Sequence, residues 1–123
     1  MSITKTLVIM SFLSSLFGAT AQDTSAIKIL STTEFKQGIS KDSVQLVDVR
    51  TALEFQSGHI KGALNIDFLK SNQFLEDVHK LDKEIPIYLY CRSGGRSNKA
   101  ARQLISLGFK EIYDLQGGYL GWK

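Results

Sequence analysis

Short apolar runs alternate along the chain with segments in which apolar residues recur at helical spacing. Residues 44–49 are β-branched and mostly apolar, as expected of a strand buried on both faces of a parallel sheet, and residues 85–90 form the strongest strand pattern. Shorter apolar runs over 27–30, 63–66 and 112–115 predict three further strands. Strands that alternate with helices indicate an α/β fold, with a central, mostly parallel five-stranded sheet and helices on both faces.

Helix signals lie between these strands. Ser31-Thr32-Thr33-Glu34 has the Ser-x-x-Glu spacing of a capping box, and the short helix that follows is predicted to end near Gln37 because Gly38 comes next. Apolar residues repeat on one face of 70–81 and of 97–107, where Gly108 is the expected left-handed end. The remaining predictions are a helical turn over 51–56 and, after Gly117-Gly118, a tail that contains Trp122.

The first 21 residues differ from the rest of the chain. Lys5 precedes an apolar run over 7–17, and Ala19-Thr20-Ala21 places small residues at both positions required before a cleavage site. The pattern predicts a secretory signal peptide over residues 1–21, export to a bacterial periplasm, and a single domain over residues 22–123. A membrane anchor is the alternative, but three serines interrupt an apolar run shorter than the ~20 residues of a spanning helix. No membrane association is expected after cleavage.

Composition and charge narrow the classes of function. A chain of 123 residues with 43% apolar and 22% charged residues is typical of one globular domain. The 15 basic and 12 acidic residues are spread along the chain, so a nucleic-acid partner is not expected. The number of apolar residues accounts for the core of a single chain and leaves no obvious apolar face for a second copy, so a monomer is expected. Because no nucleotide, flavin or metal-cluster motif is present, neither a cofactor nor a metal is expected.

The segment that follows the strand at 85–90 carries the candidate chemistry. Its glycines allow successive amides to point inward at a helix N-terminus and to form an anion-binding nest. These amides and the nearby cations are expected to lower the pKa of a nucleophilic, partly exposed thiol. The alternative is a small buried hydrophobe at a strand end, although the next six residues offer no apolar side chain to bury it. The segment comprises Cys91, which is the only cysteine, and Arg92, Ser93, Gly94, Gly95, Arg96 and Ser97.

Five motifs occur along the chain in the order Val47-Asp48-Val49-Arg50, residues 54–66, residues 91–97, Gly108-Phe109, and Leu115-Gln116-Gly117-Gly118 with Trp122. In this order they resemble the motifs of single-domain rhodaneses, over about residues 27–122. The resemblance implies a rhodanese-like domain and a sulfurtransferase in which Cys91 carries a persulfide. Thiosulfate or a persulfide would be the donor, and cyanide or a thiol the acceptor, so the implied partners are small sulfur compounds and a periplasmic thiol protein.

The resemblance also implies roles for individual residues. The amides of residues 92–97 would hold the transferred sulfur, and Arg92 and Arg96 would bind the sulfonate end of thiosulfate. Asp48 and Arg50 are supporting residues whose ion pair orients the loop or stabilises the fold alone. Further expectations are a pairing of Glu54 with Arg50 and structural roles for His59, His79 and Trp122.

Two alternatives to a free sulfurtransferase remain. Related phosphatases place five residues between cysteine and arginine, whereas four separate Cys91 from Arg96, so the ring is expected to be too tight for phosphate. The second alternative is a partner-dependent persulfide carrier or a protein-binding module without free thiosulfate turnover. The presence of the cysteine in an intact glycine-rich loop favours sulfur transfer.

Overall fold

The computed structural model describes residues 24–41 and 43–122, and the predicted signal peptide over 1–21 lies outside them. No helix in these two ranges has the length and apolar character needed to cross a membrane. The strands are β1 (Ile27–Leu30), β2 (Gln45–Asp48), β3 (Leu64–Asn65), β4 (Ile87–Tyr90) and β5 (Ile112–Leu115). The helices are α1 (Thr32–Ile39), α2 (Ala52–Gln56), α3 (Ser71–Val78), α4 (Gly95–Ser106) and α5 (Gly118–Trp122).

The strands form one sheet in the order β1-β5-β4-β2-β3. Every neighbouring pair is parallel, so the predicted α/β fold is confirmed and the sheet is wholly rather than mostly parallel. Successive side chains of β4 point to opposite faces: Ile87 and Leu89 join one apolar cluster, and Tyr88 and Tyr90 the other. Helices α3 and α4 cover the first face, and α1 and α5 cover the second, which confirms the prediction of helices on both faces.

Helix α1 begins as predicted but does not end at Gly38. Ser31 and Glu34 form the expected capping box, and the helix continues to Ile39. Gly38 is buried, and a Cβ at this position would overlap the ring of Tyr88. Gly38 therefore makes space for Tyr88 on the sheet and does not end the helix. This role could not be predicted from the sequence, because it depends on a contact across the core.

The predicted tail after Gly117-Gly118 is wrong, because residues 118–122 form α5. Both glycines have positive φ, +76° and +59°, which turns the chain back over the sheet. Trp122 then packs edge-on against Phe35 of α1, with ring centroids 6.1 Å apart. This contact confirms the structural role expected of Trp122 and explains why a short helix forms here.

The parallel strands bring three connections to one edge of the sheet. Val49 and Arg50 follow β2, Cys91 follows β4, and Gln116 follows β5. In open parallel sheets, ligands bind beyond the carboxyl ends of the strands. The fold therefore places the cysteine at the edge where a binding site is expected.

Candidate functional site

The Cys91 thiol lies inside the loop that joins β4 to α4. The backbone N–H of Gly94 donates to Sγ at 3.0 Å, and Sγ lies 3.4 Å from Oγ of Ser97. The Ser97 hydroxyl in turn donates to the carbonyl of Gly94 at 3.2 Å. Gly94 reaches this position with a φ of +121°, a conformation that other residues rarely adopt. The loop and the first turn of α4 thus place backbone N–H donors beside the sulfur.

Burial and hydrogen bonding act on the pKa of Cys91 in opposite directions. The residue is 1% exposed, and burial alone raises the pKa of a thiol. The Ser97 hydroxyl and the backbone N–H groups of Ser97, Gly94 and Ser93 lower it, and the result is a pKa below the usual value. The direction expected from the sequence is therefore confirmed.

The expected partial exposure of the thiol is wrong. Cys91 continues the side of β4 that carries Ile87 and Leu89, and it belongs to the same apolar cluster. The outer wall of the loop is instead formed by Arg92, Ser93 and Gly95, which are exposed. A reactant therefore meets the loop residues before it meets the sulfur.

Arg96 forms a two-pronged ion pair with Glu54. Its two terminal nitrogens donate to Oε1 and Oε2 of Glu54 at 2.7 and 2.9 Å. Mainly because of Arg96, the pKa of Glu54 falls to about 2. Thr51 holds the same carboxylate through the capping box of α2. The expected pairing of Glu54 with Arg50 is wrong, and the guanidinium of Arg96 is engaged with a carboxylate rather than turned outward.

Asp48 and Arg50 form a buried ion pair beneath the loop. They are 0% and 4% exposed, and the terminal nitrogen of Arg50 lies 2.7 Å from Oδ2 of Asp48. Arg50 also donates to the carbonyl of Gly58 at 2.7 Å. Its guanidinium lies over the rings of Tyr119 and Tyr90, 4.4 and 5.6 Å from their centroids. The pair connects β2, α5 and the segment before β3.

Helix α5 holds the cysteine loop from its outer side. The backbone N–H of Tyr119 donates to the carbonyl of Cys91 at 2.9 Å, and that of Leu120 donates to Arg92 at 3.1 Å. Sequence reasoning missed this contact. The adjacent glycines at 117 and 118 were the available sequence signal of a close backbone approach. In the structure, a Cβ on Gly118 would lie only 2.5 Å from the carbonyl oxygen of Arg92.

Two hollows flank the cysteine loop and differ in charge. The first, here called the arginine cleft, has a volume of about 280 Å³, and its lining includes Arg50, Arg92, Glu54, Tyr119 and Leu120. The second, here called the Asp114 cavity, has a volume of about 340 Å³, and its lining includes Ser93, Gly94, Asn98, Asp114 and Gln116. The first contains two arginines and one carboxylate, that of Glu54, whereas the charged residue that lines the second is Asp114.

Asp114 is a buried carboxylate that sequence reasoning missed. It is 3% exposed, and burial raises its pKa to about 6 although the Ser97 hydroxyl acts to lower it. The available signal was a charged residue inside the apolar run of β5 (Ile112–Leu115). Ser97 therefore influences the pKa of both this carboxylate and the Cys91 thiol.

The histidine closest to these elements has the structural role that the sequence predicted. Nδ1 of His59 lies 2.8 Å from the carbonyl oxygen of Phe55, and its ring stacks on that of Phe55 with centroids 3.7 Å apart. Across residues 24–41 and 43–122, no group of three or more His, Cys, Asp or Glu side chains could hold a metal ion. The absence of a cofactor remains a prediction from the sequence.

Glu54→Gln is expected to destabilise the protein by about 1 kcal/mol at neutral pH, because it removes the charge that pairs with Arg96. Since folding lowers the pKa of Glu54 from 4.5 to about 2, its stabilisation is complete above pH 4.5 and disappears as the pH falls towards 2. Urea unfolding of both proteins between pH 2 and pH 7 measures this. A stability difference that stays constant over this range would contradict the assignment.

Comparison with known proteins shows what the chain is similar to. A family model described as "Rhodanese-like domain" matches residues 31–123. The uncharacterized protein YqhL of Bacillus subtilis is 43% identical over 96 residues, which cover 78% of this chain and 72% of that protein. A thiosulfate sulfurtransferase GlpE of Coxiella burnetii is 36% identical over 85 residues, which cover 69% of this chain and 77% of the relative.

Solved structures agree with this similarity. A rhodanese-like domain protein from Staphylococcus aureus superposes with a TM-score of 0.69 at 29% identity, covering 78% of this chain and 91% of that one. The protein SSP1007 from Staphylococcus saprophyticus gives a TM-score of 0.68 at 28% identity and covers 78% and 93%. The wholly parallel sheet and its flanking helices are thus shared with these chains.

Proposed function

Because this chain belongs to the rhodanese-like domain family, we propose that it is a sulfurtransferase that moves a sulfane sulfur from thiosulfate to a thiophilic acceptor through a persulfide on Cys91. One observation carries the proposal: the Cys91 sulfur is held 3.0 Å from the N–H of Gly94, with a lowered pKa. A thiolate is the nucleophilic form of cysteine. Thiosulfate is proposed as the donor because relatives of this chain are named thiosulfate sulfurtransferase.

In the first half of the proposed reaction, the Cys91 thiolate attacks the outer sulfur of thiosulfate. A new S–S bond forms to Cys91, the S–S bond of thiosulfate breaks, and its electron pair leaves on sulfite. The transferred sulfur carries negative charge, which the backbone N–H groups of residues 92–97 stabilise in the manner of an oxyanion hole. Gly94 and the first turn of α4 supply these donors.

In the second half, the acceptor attacks the outer sulfur of the persulfide. The bond between the two sulfurs breaks, and Cys91 leaves as a thiolate ready for another donor. Cyanide gives thiocyanate, and a thiol gives a new persulfide. The two half-reactions share a covalent enzyme form, so ping-pong kinetics are expected.

The arginine cleft is the proposed entrance of the anionic donor. Arg92 is exposed and lines this cleft together with Arg50, so positive charge meets the sulfonate end of thiosulfate. Arg96 is held by Glu54, which makes Arg92 the stronger candidate for binding this group. Asp48 contributes by fixing Arg50 beneath the cleft.

Intact mass of the protein after incubation with thiosulfate tests the proposal, with Cys91→Ser as the matched variant. The expected result is a gain of one sulfur atom on the parent protein that cyanide removes as thiocyanate, and no gain on the serine variant. Absence of any gain on parent protein with a free thiol would refute the reaction with thiosulfate.

A persulfide carrier that depends on a protein partner is the second candidate. It is favoured by two leucines beside Arg92: Leu53 and Leu120 line the arginine cleft and are 78% and 48% exposed. Exposed apolar side chains that lie together in a cleft with polar neighbours are a feature of protein-binding surfaces. Persulfide formation without turnover of free cyanide or small thiols, but with transfer to a thiol protein, would favour this candidate.

We also propose that the protein is exported and that residues 1–21 are removed. The support is the predicted signal peptide, and a lone cysteine suits an oxidising compartment because it has no internal partner for mispairing. The N-terminal sequence of protein recovered from a periplasmic fraction tests this. A mature protein that still begins at Met1 would refute it.

A further inference from the structure

The carboxylate of Asp114 is buried beside a cavity and, within residues 24–41 and 43–122, lacks a hydrogen-bond partner on one oxygen. Its Oδ1 atom is buried and has no hydrogen-bond partner among the residues that the structure describes. A buried polar group without a partner is costly and needs an explanation. Asp114 also lines a cavity of about 340 Å³, so a ligand can supply the missing hydrogen-bond donor.

The sheet places Asp114 close to the reacting sulfur. Asp114 pairs with Leu89 in the parallel register of β4 and β5, and Cys91 lies two residues beyond Leu89 on the same face. Ser97 of α4 contacts the Cys91 sulfur at 3.4 Å and also acts to lower the pKa of Asp114. Ser93 and Gly94 of the cysteine loop line the cavity with Asp114.

Charge distinguishes this cavity from the arginine cleft. β1 contributes Ile29 to the lining, α4 contributes Asn98, and Asp114 is the one charged side chain among the described lining residues. Cys91 is the other titratable group that shares Ser97 with it. A buried carboxylate repels anions such as thiosulfate and sulfite, but it accepts a hydrogen bond from a neutral donor.

We propose that the Asp114 cavity receives the sulfur acceptor, that this acceptor is a neutral thiol, and that Asp114 takes the thiol proton. The inference rests on the proposed sulfurtransferase function and adds an acceptor site and a catalytic base to it. Anionic donor and neutral acceptor then use different sides of one loop.

The proposed step balances as follows. The S–H bond of the acceptor breaks and its proton moves to the Asp114 carboxylate, while the acceptor sulfur forms a bond to the outer sulfur of the persulfide. The bond from that sulfur to Cys91 breaks, and the electron pair leaves with Cys91 as a thiolate. Since burial raises the pKa of Asp114 to about 6, the group is ionised at neutral pH and is a stronger base than an ordinary carboxylate.

Single-turnover transfer from the preloaded persulfide tests the inference. Asp114→Asn and the parent protein are loaded with thiosulfate, desalted and mixed with either 2-mercaptoethanol or sulfite, and loss of one sulfur is followed by mass. Sulfite is already an anion and needs no base. At pH 7.5 we expect the thiol rate of the variant to fall about a hundredfold, the lower end of general-base effects, and the sulfite rate to change less than about twofold.

The pH dependence separates a base from a structural role. With 2-mercaptoethanol, the parent rate is expected to level off above pH 6, whereas the rate of Asp114→Asn rises about tenfold per pH unit until the thiol itself ionises. The two rates then converge. Glu76→Gln, which removes an exposed carboxylate on α3, is the matched control and is expected to behave like the parent.

Each contrary result has a distinct meaning. Failure of the parent protein to form a persulfide refutes the proposed function. The role of Asp114 is refuted if the persulfide forms but Asp114→Asn lowers the transfer rates to thiol and to sulfite equally. It is also refuted if the variant transfers sulfur to the thiol as fast as the parent protein does. If Asp114→Asn does not fold, a parent thiol rate that rises tenfold per pH unit through pH 6–8 refutes it as well.

Discussion

Arg50→Met is expected to lower the free energy of unfolding by about 3–5 kcal/mol, the range found when one partner of a buried ion pair is removed. The methionine leaves the carboxylate of Asp48, 0% exposed, without its counter-charge. It also removes the hydrogen bond to Gly58 and the stacking on Tyr119. Urea unfolding at neutral pH measures the loss.

Two further variants identify the cause. Asp48→Asn with Arg50→Met is expected to recover at least about 1 kcal/mol, because no buried charge is left unpaired. Lys110→Met breaks the exposed pair with Glu84, where the side chains are 69% and 65% exposed, and is expected to cost less than about 1 kcal/mol. Equal losses for the buried and exposed pairs would show that burial does not determine the effect.

Gly118→Ala is expected to lower stability by about 2–5 kcal/mol and to release the cysteine loop. The positive φ of +59° costs a non-glycine residue about 1–2 kcal/mol, and overpacking adds about 1–3 kcal/mol. The new Cβ would lie 2.5 Å from the carbonyl oxygen of Arg92 and 2.7 Å from that of Cys91. Since both atoms are backbone, they cannot rotate away.

The rate at which iodoacetamide alkylates Cys91 measures how far the cysteine loop has been released. We expect faster alkylation of Gly118→Ala than of the parent protein, because the N–H groups of Tyr119 and Leu120 lose the carbonyls that they bind. Gly121→Ala in the same helix is the control, since its Cβ would find its nearest atom at 3.8 Å. Similar stability and alkylation rates for the two alanine variants would contradict the assignment.

Much of the fold could be predicted from local sequence. The five mostly apolar runs correspond to the five strands, and the reason is clearest for β4, whose four residues are all buried because both faces of the parallel sheet are covered there. The capping box at Ser31 and Glu34 depends on residues three apart, so it is visible without any tertiary information. The lowered pKa of Cys91 also follows from neighbours within six residues.

The features that could not be predicted depend on contacts between distant segments. Glu54 selects Arg96 across 42 positions, although Arg50 is much closer in sequence. Gly38 is required by a tyrosine on β4, and the burial of Cys91 follows from the face of the sheet on which it lies. In each case a residue with a plausible local role takes a different one because the fold provides another neighbour.

The sheet order sets the sequence of events during synthesis. Among the described strands, β1 pairs only with β5, in a register that places Ile27 opposite Ile112. This partner strand is therefore absent until residue 112 and those that follow have been synthesised. The cysteine loop likewise acquires its outer hydrogen bonds only when Tyr119 and Leu120 have been made. Contacts this far apart in sequence form slowly. Cys91 is therefore synthesised well before the helix that holds its loop, and we expect the proposed sulfur transfer only from a chain in which α5 has docked.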